Sequence, residues 1–183
     1  MNILLLRNTV LALLKEAPGL GRVQLRKGLI MIDALYHSFF KETLTGITYV
    51  KHWFGPVPDN IANDELYKME FGDIRIIHER LGKLIKEAHY AIAEPDFSVF
   101  SNKKAVEIIR DVAGFIKAKQ AGKLSYITHD AVYENARMGE VIPIESIYAI
   151  EFATDPWTKE EVYGANLALK ELAESGFDLS RYC

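Results

Sequence analysis

The sequence predicts an α+β fold, a mainly helical single domain over residues 1–183 with a small antiparallel β insert. Three observations carry this. Apolar residues recur at three- and four-residue steps through most of the chain, two short strand-like runs meet at Leu81-Gly82-Lys83, and a β-branched, aromatic run is cut off at Gly55-Pro56-Val57-Pro58. With 183 residues and 49% hydrophobic content the chain has material for one core.

Leu4, Leu5, Val10, Leu11 and Leu14 predict a first helix ending near Glu16, where Pro18 and two glycines follow. From Arg22 to about Phe40, Leu25, Leu29, Ile32, Tyr36 and Phe39 predict a central, mostly buried helix. Asp33 inside it is exceptional, because a buried carboxylate is costly unless paired or hydrogen-bonded. Its expected partner is His37, one turn on, or a group on another element. Ile47 to Trp53 reads as a strand, with Tyr49, Lys51 and Trp53 on one face and Val50, His52 and Phe54 on the other. Each proline of the following corner holds its predecessor extended, and Pro58 suits the first position of a helix running to about Met69, with Asp59 at its positive end.

Gly72 to Ile92 predicts a β-hairpin, although Leu81, Leu84, Ile85 and Ala88 also fit a helical period. Ser101 is the expected cap of a helix whose stripe is Ala105, Ile108, Ile109, Val112, Phe115 and Ile116, ending by Gly122. Thr128 reads as the N-cap of a further helix with Asp130 in its first turn, ending at Gly139 and blocked by Pro143. Thr158 and Glu161 form a capping box for a last helix, marked by Val162, Ala165, Leu169 and Leu172 and closed by Gly176.

The net charge is −3, with the excess of acid in the second half, which argues against a dedicated electrostatic nucleic-acid binder. The single cysteine, Cys183, rules out an internal disulfide and reads as cytoplasmic. The opening apolar run is interrupted by Arg7 and carries no small-residue cleavage site, so it reads as an amphipathic helix, not a signal peptide. No membrane span is expected, because the apolar run from Gly28 to Tyr36 is broken by Asp33 and falls short of the roughly 20 residues a span needs.

The five histidines are the residues most able to carry metal or acid–base chemistry. His37, His52, His78, His89 and His129 are scattered and form no compact ligand pair, so no metal or cofactor is expected. His129 and Asp130 are adjacent and, on a helix, do not face one another. No glycine-rich phosphate cradle is present. The aromatic residues stand out instead, since Tyr49, Trp53, Phe54 and Tyr67 surround the proline corner. A rigid corner beside exposed rings is what a protein-binding anchor requires. Tyr49, Lys51, Trp53 and Phe54 are therefore the candidate contact residues.

Three segments in order carry a family resemblance: KGLIMIDALYHSFFKETLTG, TGITYVKHWFGPVPDN and LSYITHDAVYENARMGEVIPIESI. Together they resemble the Panacea domain of SocA-like antitoxins over about residues 22–147, leaving a helical extension at about 150–183. The motif positions are Asp33, Gly55, Pro56, Val57, Pro58, Thr128, His129, Gly139 and Pro143. Tyr133 stands where the pattern leads one to expect tryptophan, and residues 72–100 offer little to match.

The resemblance implies a small non-enzymatic protein, frequent in prophages and bacterial defence loci, that neutralises a co-encoded toxin by direct binding or, in one branch, by delivering it to a protease. Two rivals stay open from the residues. A small hydrolase or metal enzyme would gather Asp33, His37, His52 and His129 in one pocket. A nucleic-acid-binding regulator would use Arg22, Arg26 and Lys27.

Overall fold

Residues 1–53, 55–81, 84–119, 122–124, 128 and 131–145 are described by a computed structural model of the chain. Helix α1, Ile3–Glu16, starts where the Asn2 side chain accepts the Leu5 amide hydrogen at 3.2 Å. Helix α2, Arg22–Phe40, starts at Gly21, whose amide donates to the Gln24 side chain at 2.9 Å, and stops where Lys41 turns left-handed. The end of α1 and both ends of α2 agree with the sequence reading. Phe39, however, is 58% exposed at the end of α2, and Lys104 Nζ lies 5.0 Å from the centre of its ring.

Three helices and one close approach define the core. Helix α4, Lys103–Lys117, buries Ala105, Ile108, Ile109, Val112 and Ile116 against α1 and α2. Complete burial of one such aliphatic side chain contributes roughly 1.5–3 kcal/mol. At Gly28 the three helices meet: a Cβ there would lie 2.8 Å from Leu13 Cδ2 and 2.9 Å from Ile116 Cδ1. Asn102, not Ser101, caps α4; its side-chain oxygen accepts the Ala105 amide hydrogen at 3.0 Å and its Nδ2 donates to the Tyr36 hydroxyl.

Two short antiparallel sheets decorate this helical core. Strands β3, Ile74–Leu81, and β4, Leu84–Ala91, pair from Ile74 with Ala91 to Leu81 with Leu84. The hairpin reading of this stretch therefore holds over the helical one. Its inner edge docks on the turn before α2, where the Gly19 amide donates to the His89 carbonyl and the His89 amide to the Leu20 carbonyl, each at 2.9 Å. Arg7 on α1 closes the near end with two hydrogen bonds to Asp73, at 2.7 and 2.8 Å. A 3₁₀ turn, Phe97–Val99, leads on toward α4.

The second sheet is smaller than expected. Strand β1 is only Tyr49–Val50 and pairs with β2, Val57–Pro58, in place of a strand from Ile47 to Trp53. Pro58 belongs to β2, and helix α3, Asn60–Met69, begins later because Asp59 is its N-cap, accepting the Ala62 amide hydrogen at 2.9 Å. A proline φ fits an extended strand as well as a first helical turn, and here the sheet takes it.

Helix α5, Ala131–Asn135, stops short of Gly139. Gly139, at φ 79°, is instead a turn that sends the chain back along β1: the Gly139 amide donates to the Lys51 carbonyl at 3.0 Å, the Lys51 amide to Glu140 at 2.8 Å, and the Ile142 amide to Tyr49 at 2.9 Å. Those backbone groups satisfy one another across the ribbon, which removes the incentive to continue the helix. Asp130 and the helix expected from Thr158 lie outside the described residues. Among the described residues no helix is long and apolar enough to cross a membrane.

Candidate interaction site

The Gly-Pro-Val-Pro corner is a loop whose two ends are pinned by β1 and β2 and whose middle is held from beneath. Gly55, at φ 95°, takes a backbone conformation that side-chain-bearing residues rarely adopt, and it is buried together with Pro56. Three side chains reach the loop from other elements. Lys27 on α2 donates through Nζ to the Pro56 carbonyl oxygen at 2.9 Å. The Tyr133 hydroxyl on α5 donates to the His52 carbonyl at 2.6 Å and accepts the Gly55 amide hydrogen at 3.2 Å. Asn63 Nδ2 on α3 donates to the Pro58 carbonyl at 2.6 Å.

Beneath the sheet, Asp33 anchors β1. Its Oδ1 accepts the Thr45 amide hydrogen at 2.8 Å, and its Oδ2 accepts the Tyr49 hydroxyl hydrogen at 2.7 Å and the Thr45 hydroxyl hydrogen. Burial pushes the Asp33 carboxyl upward, and these donors pull in the opposite direction. Burial, and then the neighbouring Asp33 charge, hold the Tyr49 hydroxyl well above its ordinary range. Of the two partners expected for Asp33, the group on another element is the one found, and the pairing with His37 does not form. His37 Nε2 lies 3.6 Å from the Glu145 carboxylate, and Asp33 is directed to Thr45 and β1 instead. A helix places i and i+4 side chains within reach, but the deeper partner offered three donors without burying a second charge.

Lys27 is a lysine in the core. It is 1% exposed, with the Pro56 carbonyl as its hydrogen-bond acceptor, and burial, followed by repulsion from Arg26, pushes its ammonium well below the ordinary range. Its spacing to Met31 and Ala34, both buried, places it on the inner stripe of α2, which is the sequence signal that marks it. Burial, reinforced by Arg26 and Lys27, also lowers the His52 imidazole.

The candidate contact residues divide. Tyr49 is 2% exposed and hydrogen-bonded to Asp33, so it holds the corner and does not offer a surface. The face rule failed because the strand ends at Val50, and beyond it the chain is free to turn Trp53 outward. Trp53 is 59% exposed. Lys51 is half-buried, its Nζ 4.6 Å from the centre of the Tyr133 ring and 3.1 Å from the Glu134 carbonyl oxygen. Phe54 and His129 lie outside the described residues. Thr128 is buried, Val57 half-buried, and Gly139 and Pro143 exposed. The returning segment adds two exposed apolar side chains, Met138 at 48% and Val141 at 55%. The sequence reading did not single these out.

Of the residues invoked for rival functions, Arg22, Lys27, Asp33 and His37 have partners of their own. Arg22 pairs with Glu87 at 2.9 Å and Lys27 is buried, so the trio proposed for nucleic acid does not form an open basic face. Asp33 and His37 take separate partners. Among the described residues no three His, Cys, Asp or Glu side chains converge as a metal site would require.

A family model described as Antitoxin SocA-like, Panacea domain, matches residues 25–134, more than half of the chain. The matched span runs from α2 through the corner and both sheets into α5. No curated protein and no solved structure matches the chain.

Proposed function

The chain belongs to the SocA-like, Panacea-domain antitoxin family, and on that premise we propose that it neutralises a cognate toxin by direct protein–protein binding, without catalysis, in the bacterial cytoplasm. The contact surface is the outside of the corner: Trp53, the exposed part of Lys51, and Met138 and Val141 on the segment paired with β1. The reading includes one domain over 1–183, and places delivery of the toxin to a protease as a second, downstream use of the same surface.

One observation supports it most. The corner is fixed from within by Lys27, Tyr133, Asn63 and the Asp33–Tyr49 pair, while Trp53 stands 59% exposed above it. A surface that is already ordered avoids most of the side-chain and loop ordering that association otherwise opposes, at roughly 0.5–1.5 kcal/mol per immobilised side chain. A rigid, exposed tryptophan is also the residue type most enriched among energetic anchors.

The test is Trp53→Ala. Circular dichroism and thermal unfolding should be unchanged, and affinity for the cognate toxin should fall by about thirtyfold or more, the loss of an anchor worth roughly 2 kcal/mol. Tyr133→Phe should weaken toxin binding less, by loosening the corner without removing the ring that meets the partner. A folded Trp53→Ala protein with native affinity would remove the corner from the interface. At the level of class, a neighbouring reading frame lethal alone and harmless on co-expression is the expected partner.

A further inference from the structure

On the side of α2 facing α3 and β4, a small cavity of about 50 Å³ lies between Leu25 and Leu66 walls. Its polar lining is unfinished. Arg22 Nε and Asn63 Oδ1 are buried and have no hydrogen-bond partner, and Arg26 forms no hydrogen bond or ion pair among the described residues. Arg22 spends its Nη2 on Glu87, and Asn63 spends its Nδ2 on Pro58, so the two orphan atoms are what remains of side chains already fixed in place.

Acceptors and donors sit on the same cavity. His89 Nδ1 lies 2.9 Å from the Leu20 carbonyl, which only accepts, so Nδ1 carries the proton and Nε2 is left as a lone pair. That lone pair lies 3.9 Å from the Glu70 carboxylate. Burial keeps the imidazole neutral and pushes the Glu70 carboxyl upward. The lining therefore carries two guanidinium groups, with Arg22 Nη2 4.0 Å from Glu70, together with Asn63 Oδ1, His89 Nε2 and Glu70 as acceptors.

A carboxylate in this space would meet three acceptors, and an ammonium would meet two guanidinium groups. A neutral group with one strong acceptor and an N–H donor satisfies both sides. At the rim, Tyr67 and Phe71 stack edge to face with centroids 5.3 Å apart, 57% and 78% exposed. We propose that this cavity is an anchor pocket for a primary carboxamide, an asparagine or glutamine side chain of a partner protein, with the Tyr67–Phe71 pair covering the partner's adjoining surface. The carboxamide oxygen accepts from Arg26 and Arg22 Nε, and its NH₂ donates to Asn63 Oδ1. The identity of the partner as the toxin rests on the toxin-binding reading; the chemistry of the pocket does not.

The test uses the chain alone, so that its outcome is separate from that of any toxin-binding experiment. Propionamide and propionate are nearly isosteric and differ in charge, and propylammonium supplies a cation of similar length. Each is titrated to high millimolar concentration while the Asn63 side-chain amide and the Arg22 and Arg26 Nε–H signals are followed by NMR. Propionamide should give saturable shifts of all three and bind at least tenfold more tightly than either charged analogue. Arg26→Met, which removes no hydrogen bond from the fold, should keep the folded spectrum and weaken propionamide by about tenfold. Absence of saturation with propionamide, as for a cavity that holds only water, would overturn the proposal. So would a preference for propionate, or unaltered binding by folded Arg26→Met.

Discussion

The Tyr49 hydroxyl donates to Asp33 Oδ2 across 2.7 Å, with both side chains sealed from solvent. This contact joins the central helix to the first strand of the corner, and Thr45 completes it from the intervening turn. Tyr49→Phe should lower stability by about 1.5–3 kcal/mol, the usual contribution of a hydrogen bond to a charged group. Asp33→Ala should cost more, because it leaves the Thr45 amide, the Thr45 hydroxyl and the Tyr49 hydroxyl without an acceptor. Urea unfolding checks both: the midpoint should fall with the slope unchanged. Equal midpoints for Tyr49→Phe and the parent would show that the bond carries no net stability.

Lys27 gives the fold a distinctive response to alkali. Its pKa in the folded chain is well below the 10.5 of the unfolded chain, so between those values the unfolded state holds more protons and stability rises with pH. The slope in that window approaches about 1.4 kcal/mol per pH unit. The Tyr49 hydroxyl, whose pKa is raised on folding, acts in the opposite sense only above its unfolded value of 10.0 and is shared by both proteins compared. The stability of the parent minus that of Lys27→Met should therefore climb from pH 7 to pH 10. A difference that stays flat over that range would mean that Lys27 is solvated and charged in the folded chain.

Two glycines in helices should respond to alanine with opposite signs. Gly28 faces Leu13 and Ile116 at separations where a Cβ does not fit, whereas nothing lies within 4 Å of the Cβ position at Gly114, on the exposed face of α4. Overpacking at Gly28 should cost roughly 1–3 kcal/mol, outweighing the helix-propensity gain. Gly114→Ala should gain about 0.5–1 kcal/mol. Thermal unfolding of the two variants resolves the contrast, and a stabilised Gly28→Ala would show that the three helices have room to part.

The order and type of the elements were legible in the residues because they depend on local physics. Helical spacing marked α1, α2 and α4, two strand-like runs joined at Leu81-Gly82-Lys83 marked β3 and β4, and α1 ended at the breakers that follow Glu16. Even Asp33 announced itself as a buried carboxylate in need of a partner. Choosing partners was a different matter. His37 is four residues from Asp33 and lost to Thr45 and Tyr49, 12 and 16 residues away. Lys27, written beside two arginines as if it were part of a basic face, became the post under Pro56. Tyr49 was separated from Trp53 because pairing with Pro58 and Ile142 ends the strand after two residues. Each of these outcomes turns on which distant groups share a desolvated space, where an unmet donor or acceptor is heavily penalised. That competition is resolved only when α2, the ribbon and α5 close on one another.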